Sequence, residues 1–587
     1  MTSIAITQST FSKGICSESI SARDDTDILV KSAYDIQNFV LTAQGGLKKR
    51  HGIQSIVSLS NQGNIIFCQS LKIANGVNVH LYQLDGNSAL YIILNNSYQS
   101  FVSDFGIISS FTVSENNILF APQYKELKIT GPSSYTISDF IIKKPLFLYT
   151  PSGTPSTIRF TLVGAASVDY FHIGSKVQFT AFTLGTPPAY IFANGLNIEC
   201  LTLDQGIVVE GSETGVRAEL ISGTSEYGFT IETEYIDFFI QQWDDDNTSP
   251  PYLTIYNNRL FVGKNNNIWA SEINNTGNFV QLSADDDQPF RMTLDNNVNV
   301  TGLFVYKTLL TFTNLGIHAY LNSLTGAMTA TNNVLSKISD HIPLTSSSSN
   351  NMIIPTFMDN SLFYIEKNTF HVRQLSFSPS ANQVIGIDTM RFIKDRINTG
   401  IYNIVSTNSI NNENGDSFLF AIQNTGVIFC YQSIATDDIN GWTRLIFNEP
   451  ITHLSTIDND LYFFSNEQIY QFTTNYLDPN NTQIIPSITL NDISGLSPVG
   501  SLRFKRKKIS DFNIQLFTNY VDTQIKINNQ EFNLHAFDNS IFNHGLLYKL
   551  LTKITDNYEF FKFINIEFPI SNDLELLGIE YSCEVEV

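Results

Sequence analysis

The sequence is short of cysteine, of basic residues and of long apolar runs, and each shortage closes off a class of protein. Its five cysteines, Cys16, Cys68, Cys200, Cys430 and Cys583, are odd in number, far apart and never in a C-x-x-C pair. That spacing argues against a disulfide scaffold and against a cysteine-based zinc site, and fits small buried hydrophobes in a reducing compartment. No run of roughly 18 apolar residues occurs, so no membrane helix and no stable membrane insertion are expected. The start MTSIAITQSTF has neither a basic n-region nor an apolar h-region, and a soluble chain that the usual export routes do not carry is expected.

Basic residues are outnumbered 34 to 55 by acidic ones, for a formal net charge of −21, although charged residues make up only 15% of the chain. Neutral Asn, Ser and Thr must therefore cover much of the surface. Gripping nucleic acid by phosphate neutralisation needs clustered Lys and Arg; an acidic protein could still surround nucleic acid without gripping it. Catalytic signatures are missing as well. None of the nine histidines has zinc-hydrolase spacing, and no G-x-S-x-G, P-loop or G-x-G-x-x-G after a strand is present. ASEINNTGNF, Ala270 to Phe279, resembles a sialidase Ser-x-Asp-x-Gly-x-x-Trp turn only loosely, without the Asp and the Trp. No enzyme and no cofactor are expected.

What the chain does have, at 587 residues, 42% hydrophobic and 12% aromatic, is enough apolar material for several cores. A strand-turn-strand unit recurs: ENNILFAPQYKELKIT from Glu115, NNRLFVGKNNNIWAS from Asn257, KTLLTFTNLGIHAYL from Lys307, DNSLFYIEKNTFHVRQL from Asp359, GDSFLFAIQNTGVIFCYQ from Gly415 and DNDLYFFSNEQIYQF from Asp458. In four of them the leading apolar residues of the two strands are eight apart, Leu260 to Ile268, Leu309 to Ile317, Leu362 to Phe370 and Leu461 to Ile469. One hairpin geometry is being reused. Successive units, counted from Leu260, Leu309, Leu362, Phe418 and Leu461, start 49, 53, 56 and 43 residues apart, the period of β-propeller blades. A further hairpin, VNVHLYQL-DGN-SALYIIL from Val77 to Leu94, places blades upstream too. The uneven spacing also fits hairpins piled into a sandwich or an open platform.

The expected fold is all-β, a β-propeller with an inserted β-domain and a C-terminal β-rich domain. Residues 1–145 hold an N-terminal segment and the first blades, 146–245 the inserted platform-like domain, 246–495 the remaining blades and 496–587 the C-terminal segment. Helix signals are few, the best being Asp35 to Leu41 and Leu546 to Ile554.

Three charged clusters stand out. Asp244, Asp245 and Asp246, and Asp285, Asp286 and Asp287, could contribute oxygen ligands to calcium, form solvated turns, or present a surface along which a polyanion slides without sticking. Arg503 to Lys508 fits a lysine-guarded strand edge or a contact with phosphate or an acidic partner. Trp269 and Trp442 lie near blade loops, suited to blade packing or to stacking on sugars.

Two separated stretches resemble the tail nozzle proteins (tail tubular protein B) of short-tailed bacteriophages. The first is F-x-x-G from Phe11, then Ser21, Arg23, Asp24 and Asp25, Gly45-Gly46-Leu47 and Lys49-Arg50-x-Gly52, with His51 where that family shows a proline. The second is PPYLTIYNNRLFVGKNNNIWASEINNTGNF from Pro250, followed by a weaker match in LTFTNLGIHAY from Leu310. The resemblance implies a virion tail protein made in the host cytoplasm, six copies of itself forming a ring below the portal and the adaptor (head-to-tail connector). Such a ring has a central channel for packaged DNA, helps retain the genome, and docks tail fibres or adhesion proteins. Arg23, Asp24, Asp25 and Arg50 are then candidate assembly contacts, suited to charge-assisted hydrogen bonds across blades or between subunits, although turns capping the first blade fit equally. Asp244 to Asp246 and Asp285 to Asp287 are candidate channel-facing acids. The alternative, from another class, is a glycan-binding or glycan-degrading propeller, a phage adhesin or depolymerase.

Overall fold

Hairpins with buried, two-sided strands need partners on both faces, and a ring of blades supplies them. The computed structural model describes residues 2–8, 10–16, 28, 31–144 and 243, and 248–490 with short internal omissions. Beyond these it describes strands alone within 146–241 and 507–585, with Phe568. Among the described residues, seven antiparallel four-stranded blades follow one another. Blade 1 is Ile65–Lys72, Asn78–Leu84, Leu90–Leu94 and Tyr98–Val102; blade 2 is Ser110–Ser114, Asn117–Ala121, Lys125–Gly131 and Ser134–Asp139. Blade 3 is Tyr252–Tyr256, Arg259–Lys264, Asn267–Ala270 and Phe290–Thr293; blade 4 is Val300–Tyr306, Thr308–Thr313, Gly316–Ala319 and Ser336–Ser339. Blade 5 is Thr356–Met358, Ser361–Ile365, Val372–Ser378 and Gln383–Asp388; blade 6 is Ile404–Asn411, Ser417–Gln423, Ile428–Ile434 and Ile439–Leu445.

Blade 7 closes the ring. Its first three strands, Ile451–Ile457, Asp460–Ser465 and Gln468–Phe472, are completed by Ile53–Ser58 from the other end of the propeller sequence. The strand that completes the last blade comes from just before the first, and blades 7 and 1 pack on a shared core, which leaves no open seam.

Alternation explains the seams. Side chains two apart on a strand share a face, so in Ser361–Ile365 the pair Phe363 and Ile365 enters the core shared with blade 6, while Leu362 and Tyr364 enter the core shared with blade 4. The second strands are consequently buried along most of their length, and along all of it in Arg259–Lys264 and Ser361–Ile365, which is why they read as apolar runs. Every neighbouring pair of blades has such a core, including blades 7 and 1, where Tyr82, Tyr91, Tyr462 and Phe464 meet.

The hairpins expected from the sequence are the middle pairs of the seven blades, and the sandwich and open-platform arrangements give way to a closed ring. The eightfold offset holds in blades 3, 4 and 7. In blade 5, Phe370 instead lies in the turn with φ of 56°, and the third strand starts at Val372. The helix signals are overturned. Asp35–Gln37 and Phe39–Leu41 are strands, and so is Gly545–Lys553, paired along its length with Lys507–Thr518. Short apolar runs carry helical and strand spacing alike, and long-range pairing decides between them.

Between blades 2 and 3 the chain runs through the strand pair Leu146–Tyr149 with Phe238–Gln241, which brackets a five-stranded and a three-stranded sheet. Beyond blade 7, Lys507–Thr518 pairs with Leu574–Val585, and the latter also pairs with the N-terminal Thr2–Gln8. Asp35–Gln37 lies between the outer strand of blade 6 and Ser487–Thr489, and thereby extends that blade into the terminal strands.

Candidate functional site

The segment that opens the sequence is the fastening between the propeller and the terminal sheets. Gly45 takes φ of 80°, a left-handed value suited to glycine, and turns Phe39–Leu41 back into Leu47–Lys49. Leu47 pairs with Leu576, so the hairpin joins the terminal sheet. Arg50 follows, 2% exposed, and all five of its N–H groups donate within the chain. Nε donates to Asn38 Oδ1 at 3.0 Å; Nη1 donates to His51 O at 3.0 Å and Asp478 Oδ1 at 2.9 Å; Nη2 donates to Ile446 O and Asp478 Oδ2, both at 2.6 Å. Its guanidinium also lies 4.0 Å over the Phe447 ring. Burial lowers the Arg50 pKa while Asp478 pulls it back up. Gly52 is required by close approach: a Cβ there would lie 1.8 Å from Leu477 O. His51 stacks on Tyr476 at 4.9 Å.

Within the chain, Arg50 uses every donor, and so joins the N-terminal hairpin to Ile446, just after blade 6, and to Asp478, beyond blade 7. Arg23, Asp24 and Asp25 lie outside the described residues, as do Asp244 to Asp246 and Arg503 to Arg506. Asp285, Asp286 and Asp287 are exposed. Their turn is anchored by buried Arg259, which donates to the main-chain oxygens of Asp286, Asp287, Gln288 and Ser271. Arg259, in the stretch from Pro250 that resembles the nozzle family, thus fixes where these carboxylates project. Among the described residues no group of three or more His, Cys, Asp or Glu is placed to hold a metal ion, and no helix is long and apolar enough to cross a membrane.

Both tryptophans near the blade loops are packed rather than presented, each 2% exposed. Trp269 meets Trp243 edge to face at 5.4 Å, and Trp442 donates from Nε1 to Thr389 O at 2.9 Å. Trp442→Phe keeps most of the packing but strands that carbonyl, and is expected to lower unfolding free energy by about 1–2 kcal/mol, read from urea denaturation. Cys16, Cys68 and Cys430 are buried thiols. Burial raises the pKa of Cys68 and Cys430 steeply, which suppresses thiolate reactivity.

Sequence reasoning missed two polar networks because their members are scattered. Ser70 Oγ donates to His80 Nδ1 and His80 Nε2 donates to Asn96 Oδ1, both at 2.7 Å. This has the order of a nucleophile, base and orienting group, yet Ser70 and His80 are 1% and 0% exposed, so substrate cannot reach them. In blade 5, buried Glu366 accepts from Arg373 Nε at 2.6 Å, Thr369 Oγ1 at 2.8 Å and His341 Nδ1 at 3.0 Å. Burial pushes its carboxyl pKa up, but those donors outweigh burial and hold it below the usual value. A cavity of about 730 Å³ opens nearby, lined by Lys367, Asn403, Asn424 and His453 among others.

The class defined by the pairing is a seven-bladed β-propeller, closed by a strand from the N-terminal side of the ring. No protein-family model and no curated protein matches the chain. Solved structures similar to it include BBS1N in complex with ARL6DN, at 8% identity over 74% of this chain and 98% of that one with a TM-score of 0.34. Sqt1 of Saccharomyces cerevisiae gives 9% identity over 72% and 100%, TM-score 0.33. Virginiamycin B lyase from Staphylococcus aureus gives 9% over 72% and 98%, TM-score 0.32.

Proposed function

We propose that this chain is the nozzle subunit of a short-tailed bacteriophage, six copies forming a ring below the portal and adaptor through which DNA leaves the virion. The observation that carries the reading is the construction of the motif segment. Gly45, Gly46, Arg50 and Gly52, four of the positions that resemble the nozzle family, form one fastening that ties the propeller to the terminal sheets. A free-standing propeller has no use for such a fastening, whereas a subunit that transmits load between bodies does. The exposed Asp285 to Asp287, on a chain of net charge −21, suit a wall along which DNA slides, since like charges prevent trapping. In this reading the portal-side adaptor and the fibres or adhesion proteins are its partners in the tail.

The test is negative-stain microscopy of the purified chain, alone and mixed with the head-to-tail adaptor of the same virus. Rings with a central channel are expected in at least the mixture. Monomers alone in both preparations overturn the proposal.

A further inference from the structure

A propeller blade ends in an outer strand whose unpaired N–H and C=O groups invite another strand, and natural sheets guard such edges with charge, proline or bulges. Six blades here have an outer strand that ends its sheet among the described residues; in blade 7 that strand is the added Ile53–Ser58, uncharged but paired across a register shift, and in the other five it follows on from its own blade. Ser134–Asp139 carries Asp139 and pairs across a register shift. Phe290–Thr293 carries Arg291, Ser336–Ser339 carries Lys337 beside a register shift, and Gln383–Asp388 carries Asp388. Tyr98–Val102, sequence YQSFV, has no charge, no proline and an unbroken register with Leu90–Leu94. It is also the one described strand with two large exposed hydrophobics, Tyr98 at 37% and Phe101 at 59%.

The chain already uses strand addition at its other two blade edges. Blade 7 takes Ile53–Ser58 as its outer strand, in the sequence IQSIVS, and blade 6 takes Asp35–Gln37 and Gly14 alongside Ile439–Leu445. Continuity with these interfaces says what kind of occupant such an edge accepts: main-chain hydrogen bonds supply the affinity, and neighbouring apolar side chains select the strand.

We propose that the outer edge of blade 1 is a docking edge for an extended, uncharged strand of a partner protein, one rich in β-branched or aromatic residues that cover Tyr98 and Phe101. An uncharged edge is also where an approaching uncharged strand meets the least desolvation cost, since no charged side chain has to give up water. The inference does not depend on the nozzle reading.

The probe is a fluorescein-labelled peptide of the blade-closing sequence IQSIVS, followed by fluorescence anisotropy with the full chain. Saturable binding is expected, weakened at least about tenfold by the double change Tyr98→Lys and Phe101→Lys. Ile387→Lys, on the already charged outer strand of blade 5, is expected to leave binding unchanged. Because the double variant can lose stability, hydrogen exchange on the unmodified chain is the second measurement, with slower exchange expected across residues 98–102 when the peptide is present. No saturable binding, equal binding by the double variant, or unaltered exchange in residues 98–102 each overturns the proposal.

Discussion

Arg50→Ala is expected to destabilise the folded chain by about 3–5 kcal/mol, the cost typical of removing one partner from a buried ion pair. The physical reason lies with what is left behind more than with what is removed. Asp478 is 5% exposed and takes two of the five Arg50 hydrogen bonds, so truncation leaves a buried carboxylate without its counter-charge. It also strands the main-chain oxygens of His51 and Ile446 and removes the ring contact with Phe447. Arg50→Lys should recover little of this, since three donors on a point charge cannot span the five acceptors a planar fork reaches. Asp478→Asn keeps shape and one acceptor, and should cost less than Arg50→Ala. Urea unfolding measures the size of each loss; hydrogen exchange shows where it falls, with Leu47–Lys49 and Ser487–Thr489 the strands expected to lose protection. A loss below about 1 kcal/mol for Arg50→Ala would put the pair on the level of a surface salt bridge and remove the fastening from the argument for function.

The same residue shows what could be read in advance and what could not. Arg50 stood out because it closes a Gly-Gly-x-x-x-Arg pattern, and charge-assisted bonding followed from its chemistry. Its partner is 428 residues away, and nothing local to either side chain announces the other. The blades divide in the same way. Their middle hairpins are local, held by turns such as Asp85-Gly86, where Gly86 has φ of 70°, so spacing and alternation expose them. The outer strands of blades 3, 4 and 7 are not local. Phe290–Thr293 is separated from Asn267–Ala270 by a long loop, and Ile53–Ser58 precedes the rest of its blade by almost the whole propeller. Without those strands neither the number of blades nor the closure could be counted. Leu546, Leu547, Leu550 and Leu551 misled for a related reason: their spacing suits a helix, and only the distant Lys507–Thr518 turns them into a strand. Asp285 to Asp287 were visible as charge, whereas Arg259, which fixes their turn from beneath, looked like one residue of a motif.

Acid is expected to loosen the ring at its closure. His80 and His453 both have a pKa lowered by burial to about 4. The imidazole of His80 lies 4.8 Å from the ring of Tyr462, across the boundary between blades 1 and 7, and His453 pairs with Phe464 within blade 7. Above pH ~6.5 both are neutral whether the chain is folded or not, and titration leaves stability unchanged. Between ~6.5 and ~4 the unfolded chain binds protons that the folded chain refuses, so stability falls with falling pH. Below ~4 the folded state is protonated too and this contribution levels off. Each group supplies about 3 kcal/mol across the window, and about 2 kcal/mol between pH ~6.5 and ~5. The pair together should therefore remove about 4 kcal/mol on acidification to pH ~5, provided the two sites act independently. Glu366 and Asp388, whose carboxyl pKa values are lowered in the fold, reinforce the same trend at more acidic pH, since stability gained from a depressed carboxyl is lost as pH drops through the folded value. Urea unfolding at a series of pH values checks the slope. Replacing both histidines, His80→Gln and His453→Gln, should flatten it between pH ~6.5 and ~5, because an amide has no proton to take up; Gln at position 80 can still bond Ser70 and Asn96. A double variant with the slope of the unmodified chain would assign the acid sensitivity to other groups and leave the closure seam without a special role. Hydrogen exchange at pH ~5 adds the location: Asn78–Leu84, the strand that carries His80, and Asp460–Ser465, the strand paired with His453, should lose protection relative to neutral pH.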